Sequence, residues 1–294
     1  MKVHLVDGTY ELFRHYYALP SHVNAGGQEI SATRGVVGSL LSLIDGGATH
    51  VAVATDHIVE SFRNELWADY KDATGIEPEL FSQFGLLEDA VRALGVPVWA
   101  MVEYEADDGL AAGAAMASAD ERVEQVLICT PDKDLAQCVE GQRVVQFDRR
   151  RRQLFDHDAI VEKFGVAPAS IPDYLALMGD SADGFPGLPG WGAKSASTLL
   201  ARYLHIEEIP ASASDWDVSV RGAARLAATL RGEKEQALLF RRLATLVEDA
   251  PVSATVDDLE WAGATPDFAA TCETLEDSRL AERAERLGPR STHT

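Results

Sequence analysis

The chain has 294 residues, 46% of them hydrophobic, enough to bury a core in one large domain or two smaller ones and too apolar for disorder. Its 47 acids against 26 Lys and Arg give a net charge of −21, which excludes a protein that coats nucleic acid indiscriminately, because that binding runs on Lys and Arg displacing counterions from phosphates. No apolar run approaches the ~18 residues of a membrane span, and the opening MKVHLVDGTYELFR meets an acid and an arginine too early for a signal peptide; a cytoplasmic chain with no membrane partner is expected. Cys129, Cys138 and Cys272 form no CxxC pair and have no nearby His grouping, so they indicate neither a disulfide framework nor a zinc site.

In chain order, β-branched runs at 2–6, 50–55, 96–102 and 125–130 read as strands. Between and after them, helices are expected at 35–44, 78–94, 106–119 and 133–139. Residues 143–147 and 153–155 read as a hairpin whose tip is Arg149–Arg152. This alternation predicts an α/β unit with a mainly parallel sheet. From 167 onward the pattern turns helical, with Pro and Gly clustered at 185–192 and Ala/Leu/Arg-rich stretches at 220–230 and 234–246. Residues 289–294 are expected to be a frayed tail.

Acids recur where the strands end. Asp7 and Asp56 close the first two; Glu105, Asp107 and Asp108 follow the third; Asp132 and Asp134 follow the fourth. In an open parallel sheet all carboxyl ends lie along one edge, so these side chains are expected to converge. Carboxylates packed that closely repel one another, and a bound divalent cation is the usual remedy. Acids are also common in the first turn of a helix, where they complement its dipole. Three in four residues at 105–108 exceed what a cap requires, and Asp180 and Asp183 add a third acidic element. The spacing lacks the alternating ligands and closing Glu of an EF-hand, so Mg²⁺ held by several carboxylates fits better than Ca²⁺.

The segment GFPGLPGWGAKSA at 184–196 is a turn leading into a helix. Its glycines would let backbone N–H groups approach an anion, and Lys194 sits where it could reach a phosphate oxygen. Alone, it reads equally well as an ordinary helix–helix turn. Beside the acids, it points to a phosphodiester.

The segments LVDGTYELFR at 5–14, TDHIVESFRNELWADYK at 55–71, YEADD at 104–108, TPDKDLAQ at 130–137 and DYLALMGDSADGFPGLPGWGAKSA at 173–196 resemble the structure-specific 5′ nucleases. That family comprises flap endonucleases, phage 5′ exonucleases and the N-terminal nuclease domain of bacterial DNA polymerase I. The resemblance implies a PIN-like α/β nuclease core over 1–166, with an arch segment near 71–92. It implies a helical, SAM-like region over 167–288, containing a helix-three-turn-helix element at about 173–205 that holds duplex DNA. All nine acidic positions of the family pattern are filled, implying two Mg²⁺ or Mn²⁺. One would lie mainly among Asp7, Asp56, Glu105, Asp107 and Asp132, the other among Asp108, Asp132, Asp134, Asp180 and Asp183. Lys71 and Arg63 fall on positions whose cations face the scissile phosphate. Arg14, Gly187, Gly190, Gly192, Lys194 and Ser195 are the implied DNA contacts, with K⁺ at the helix-three-turn-helix element. The expected function is metal-dependent 5′-3′ exonuclease or flap endonuclease action on DNA 5′ ends, flaps or nicks, by a monomer with a DNA polymerase as partner. The competing readings are a non-catalytic DNA-junction protein of the same fold and a ribonuclease of the related fold.

One departure stands out. The arch segment 72–91 has no Lys or Arg and five acids, Asp72, Glu77, Glu79, Glu88 and Asp89, whereas single-strand channels rely on a positive groove. The arginines at 149–152 read first as a solvated tip and second as a contact for duplex phosphates.

Overall fold

The computed structural model describes residues 1–288, so the expected tail at 289–294 lies outside the described residues. The chain folds as two units: Met1–Val59, Ala73–Thr130 and Glu248–Thr294 make up the first, Glu60–Asp72 and Pro131–Val247 the second. Neither is continuous in sequence. No described helix is long and apolar enough to cross a membrane.

The first unit is built on β1 (Lys2–Asp7), β2 (His50–Asp56), β3 (Val98–Met101) and β4 (Gln125–Cys129), all parallel, in the order β3-β2-β1-β4. β2 is buried along its length except for Asp56, as a parallel strand covered on both faces must be, which accounts for its continuous run of small and β-branched residues. Asp7 stands opposite Ala54 and Asp56 opposite Met101, so the register itself delivers both acids to one edge. The helix Gly8–Ala18 begins with no intervening loop, and Asp7 is at once the last residue of β1 and the helix N-cap. Gly8 makes this possible: a Cβ there would fall 2.6 Å from Val53 Cγ1 and 2.9 Å from the Ala54 carbonyl. The missing turn signal is why this helix is not legible in the sequence. Helices Ser31–Asp45 and Ala106–Ser118 lie close to the expected spans, while the stretch expected at 78–94 divides into Pro78–Phe81 and Gln83–Ala93.

The second unit carries the antiparallel hairpin of β5 (Val144–Asp148) and β6 (Gln153–Phe155), as expected. The rest is helical, from His157–Phe164 through Ile171–Met178, Ala193–Tyr203 and Ala223–Gly232 to Lys234–Ala244. The segment expected as a helix at 133–139 is a 3₁₀ turn, Asp134–Cys138. Phe185, Leu188, Trp191, Leu199 and Phe240 are among the buried side chains of this core. Arg63 is buried with them at 1% exposure, its Nε donating to the Leu243 carbonyl at 2.8 Å and its Nη2 to that of Thr245 at 3.0 Å.

Asp173 ties the helical layers together. It is buried, accepts from Arg241 Nη1 and the Ile206 amide at 3.2 Å each, and lies 2.9 Å from His205 Nδ1. Removing a buried acceptor with several partners leaves those partners desolvated and unmet. Asp173→Ala should therefore cost roughly 2–4 kcal/mol, read as a fall in the urea midpoint followed by fluorescence and circular dichroism, with an unchanged midpoint the contrary result.

Candidate metal centre

In the first unit, acids gather at the carboxyl edge of the sheet. Asp7 Oδ1 accepts from the Tyr10 amide at 2.8 Å, and its Oδ2 accepts from the Thr130 hydroxyl at 3.0 Å. Asp56 Oδ1 accepts from the Ala106 amide at 2.8 Å, which pins the β2 end to the start of the helix Ala106–Ser118. At that start Asp108, fully buried, accepts from the Glu105 amide at 3.0 Å; Asp107 is the more open of the two helix acids. Asp7, Asp56 and Asp108 thus each have an oxygen bound by an amide donor, which fixes the carboxylate.

In the second unit, Asp134, Asp180 and Asp183 are all buried, with one oxygen of each lying within 4.8 Å of the others. Asp132 Oδ1 accepts from the Asp134 amide at 3.0 Å. Asp134 Oδ1 is buried without a hydrogen-bond partner. Burial first, then the charges of Asp132 and Asp183, push the Asp134 carboxyl well above the usual carboxylate range. An all-oxygen donor set with an unmet buried oxygen suits a hard divalent cation.

Two lysines partly answer this charge. Lys71 Nζ lies 3.2 Å from Asp183 Oδ1, and the Lys71 amide donates to the Asp183 carbonyl at 3.1 Å. Lys133 Nζ lies 2.5 Å from Asp180 Oδ2 and 3.9 Å from Asp134 Oδ1. Burial works against the charge on Lys133, but Asp134, Asp180 and Asp132 outweigh it and raise its pKa. Lys133 stands between two of the expected ligands in TPDKDLAQ, and its role was not legible there. A cavity of about 540 Å³ opens beside Asp180, lined by residues including Trp67, Asp69, Met178 and Phe185.

The glycine-rich turn follows directly from the acids. Gly187 has φ 68°, and a Cβ there would lie 2.3 Å from the Gly179 nitrogen, so the two strands of the turn close only without side chains. Ser195 caps the next helix from within, its hydroxyl accepting from the Gly192 amide at 3.1 Å, and Lys194 is exposed beside it. A Cβ on Gly190 would lie 3.0 Å from the guanidinium of Arg225, an exposed cation 35 positions along that sequence spacing gave no reason to single out. Arg14 is held by Glu11, Nη2 to Oε2 at 2.5 Å, and Arg63 is the buried tie described above, not an exposed cation.

The description "5′-3′ exonuclease, N-terminal resolvase-like domain" matches residues 2–165, and "5′-3′ exonuclease, C-terminal SAM fold" matches residues 166–267. The chain belongs to the 5′-3′ exonuclease family. It is 37% identical over 265 residues to DNA polymerase I of Pseudomonas aeruginosa, covering 87% of this chain and 28% of that protein. Against DNA polymerase I of Bacillus caldotenax it is 33% identical over 267 residues, 89% of this chain and 30% of that protein. It therefore spans less than a third of these curated relatives. Among solved structures, a zinc-bound T5 5′-exonuclease superimposes with a TM-score of 0.66 at 19% identity over 98% of both chains. The catalytic core of Rad2 in complex with DNA substrate gives 0.64 at 13% identity, covering 97% of this chain and 92% of that one. These two likenesses are of fold.

The same geometry reshapes the arch expectation for this family member. Glu88 is buried, accepts from the Thr55 hydroxyl at 2.9 Å and lies 3.0 Å from His57 Nδ1, while Asp89 pairs with Arg92 at 3.2 Å. At least three of the five acids at 72–91 thus have partners within the protein, Glu77 being the third. Glu77 accepts from the Tyr17 hydroxyl at 2.7 Å and Glu79 is exposed.

Because the fold raises the Asp134 pKa, its contribution to stability is present below the ordinary carboxylate range and is lost as pH rises through the folded value. Without metal, ionised Asp134 is a burden at neutral pH. Asp134→Asn should raise the melting temperature in EDTA by on the order of 2–4 °C and shrink the rise produced by Mn²⁺ in the parent chain. Differential scanning at pH 5 and pH 8, with and without Mn²⁺, checks both signs.

Proposed function

We propose that this chain is a metal-dependent 5′-3′ exonuclease and flap endonuclease that hydrolyses DNA phosphodiesters at 5′ ends, flaps or nicks. The observation that carries this reading is the buried trio Asp134, Asp180 and Asp183, with an unmet carboxylate oxygen and two lysines beside it, in a chain whose family match runs over 2–267. We infer two Mg²⁺ or Mn²⁺, held by Asp7, Asp56, Glu105, Asp107, Asp108, Asp132, Asp134, Asp180 and Asp183. When bound, such a pair of cations supplies an activated water, orientation of the phosphorus for in-line attack and stabilisation of the leaving oxygen.

The chain's own residues do the remaining work. Amide and hydroxyl donors fix Asp7, Asp56 and Asp108 so that no carboxylate must reorganise during turnover. Lys71 presents a cation next to Asp183, placed to neutralise charge on a bound phosphate. The amides of 187–192, Lys194 and Arg225 hold the duplex by its backbone, without reading sequence, and K⁺ is proposed at this turn. Accordingly, 1–166 serves as the nuclease core with its arch near 71–92, and 167–288 as the DNA-holding region with its element at about 173–205. A DNA polymerase is proposed as working partner, a reading the DNA-polymerase-I relatives support; the monomeric state and cytoplasmic location are proposed from the sequence alone.

The deciding experiment is cleavage of 5′-flap, nicked and RNA-containing duplexes, each with and without Mg²⁺ or Mn²⁺; no cleavage of any DNA with metal present refutes the proposal. Asp107→Asn should lower single-turnover cleavage on the order of 10²-fold or more, since even outer partners of metal ligands are worth roughly 10–100-fold, while DNA affinity changes little. Undiminished single-turnover rates would contradict a ligand role.

Lys at both Glu77 and Glu79 should strengthen binding of a 5′-flap at low salt, with a gain that fades as salt rises, and leave a flapless nick nearly unchanged. A salt series with both substrates checks this. Equal gains for the two would show a general field effect in place of a grip on the single-stranded arm.

A further inference from the structure

Between β5 and β6 the chain turns through Arg149, Arg150, Arg151 and Arg152, four of only 26 Lys and Arg in a chain with 47 acids. The tip is built, not slack. Asp148, 5% exposed and opposite Gln153, accepts from the Arg151 amide at 3.0 Å and from Arg151 Nη1 at 3.2 Å. Arg152 has φ 53°, a left-handed conformation in which glycine or asparagine is the unstrained choice for a turn. An arginine at that position points to a use for its side chain beyond closing the hairpin.

The charge is also presented outward. Arg150, Arg151 and Arg152 are exposed, and Arg150 and Arg152 form no ion pair among the described residues. Behind them Lys163 lies 4.8 Å from the ring centres of both Phe155 and Phe164. Burial and then the charge of Arg151 lower the Lys163 pKa, so the cations here lie close enough to feel one another. Of the neighbouring acids, Asp148 is taken by Arg151 and Asp156 by the Ala159 amide at 3.0 Å; Asp158, 3.2 Å from His157, and Glu162 are exposed. The guanidinium fork matches phosphate oxygens two at a time. No aromatic residue occurs among the four tip positions, so base stacking, the mark of single-strand sites, has no platform within it.

We propose that this hairpin tip, through Arg150, Arg151 and Arg152, is a second grip on the phosphate backbone of the duplex part of the substrate, separate from the turn at 179–192. The proposal rests on the nuclease reading above. It gives an otherwise acidic chain a localised, sequence-independent contact that positions DNA and takes no part in bond breaking.

The test is binding of a nicked duplex, with metal omitted, across a salt series by the wild type, an R150Q/R151Q/R152Q variant and the corresponding triple Arg→Lys variant. The Gln variant should lose roughly 2–3 units of the slope of log affinity against log salt, about 0.9 for each phosphate contact removed, and on the order of tenfold or more in affinity at low salt. The Lys variant should keep most of the slope, because counterion release needs only the charge. The Lys variant's melting temperature should match the wild type; the Gln variant loses the Arg151 contact to buried Asp148, so it is read beside R150Q/R152Q, which keeps that contact, should melt with the wild type and should lose about two units of slope. R152G separates charge from folding: it should melt higher, through relief of the left-handed arginine, yet lose about one unit of salt slope. Unchanged slope and affinity in the Gln variant overturn the proposal. So does a change confined to self-association in sedimentation, which would assign the tip to an acidic protein surface. A wild type that cleaves DNA beside a Gln variant of equal slope removes the hairpin grip alone; a wild type that neither binds nor cleaves removes the nuclease reading and this one with it.

Discussion

Carboxylates buried within a few ångströms of one another set the terms for this fold. At the 4.8 Å limit that encloses Asp134, Asp180 and Asp183, each ionised pair repels by about 3 kcal/mol at an effective dielectric near 20. No side-chain packing removes that cost; only positive charge or protonation does. The chain uses both: Lys133 and Lys71 lie against Asp180 and Asp183, while burial favours the protonated form of Asp134. The arrangement costs stability where a cation is absent and offers a ready seat where one is present. Strain of this kind is tolerated when the surrounding fold over-determines it.

The surroundings do over-determine it. Asp7 is simultaneously a strand residue, a helix cap and the acceptor for Thr130; Asp56 is held by the amide that opens the helix Ala106–Ser118; Asp108 closes a capping box with Glu105. Each carboxylate is positioned by hydrogen bonds that already belong to secondary structure. In the second unit the turn after Asp180 and Asp183 closes through glycines at positive φ, so the buried acids and the backbone amides of the glycine turn share one short stretch of chain.

Global and local charge part company throughout. A net −21 repels DNA at long range, yet cations are spent at a few places: Lys71 and Lys133 at the acids, Lys194 and Arg225 at the glycine turn, and four arginines at one hairpin. Within roughly a Debye length the local pattern outweighs the distant field at physiological salt. At 72–91, Glu88 is buried against Thr55, whereas Asp89 pairs with Arg92 at the surface.

Elements whose signals are local or repeated were legible in the amino-acid order alone. The β-branched runs gave the four strands, the acids at their ends gave a metal reading, and the Gly/Pro cluster before Lys194 gave a turn into a helix, because strand periodicity, turn chemistry and charge are written in adjacent residues. Five quoted segments carried the family resemblance. The helix Gly8–Ala18 escaped, because a strand that runs into a helix without a loop leaves no punctuation. Arg63 read as a cation facing the scissile phosphate; its burial rests on carbonyls 180 and 182 positions away. Glu88 read as part of an acidic arm, yet its partners are Thr55 and His57, brought to it by the packing of a helix on a sheet. Lys133 and Arg225 acquired their places the same way. Which charges are paired, which are buried and which remain for a ligand is set by contacts between residues far apart in the chain, and only the tertiary structure decides them.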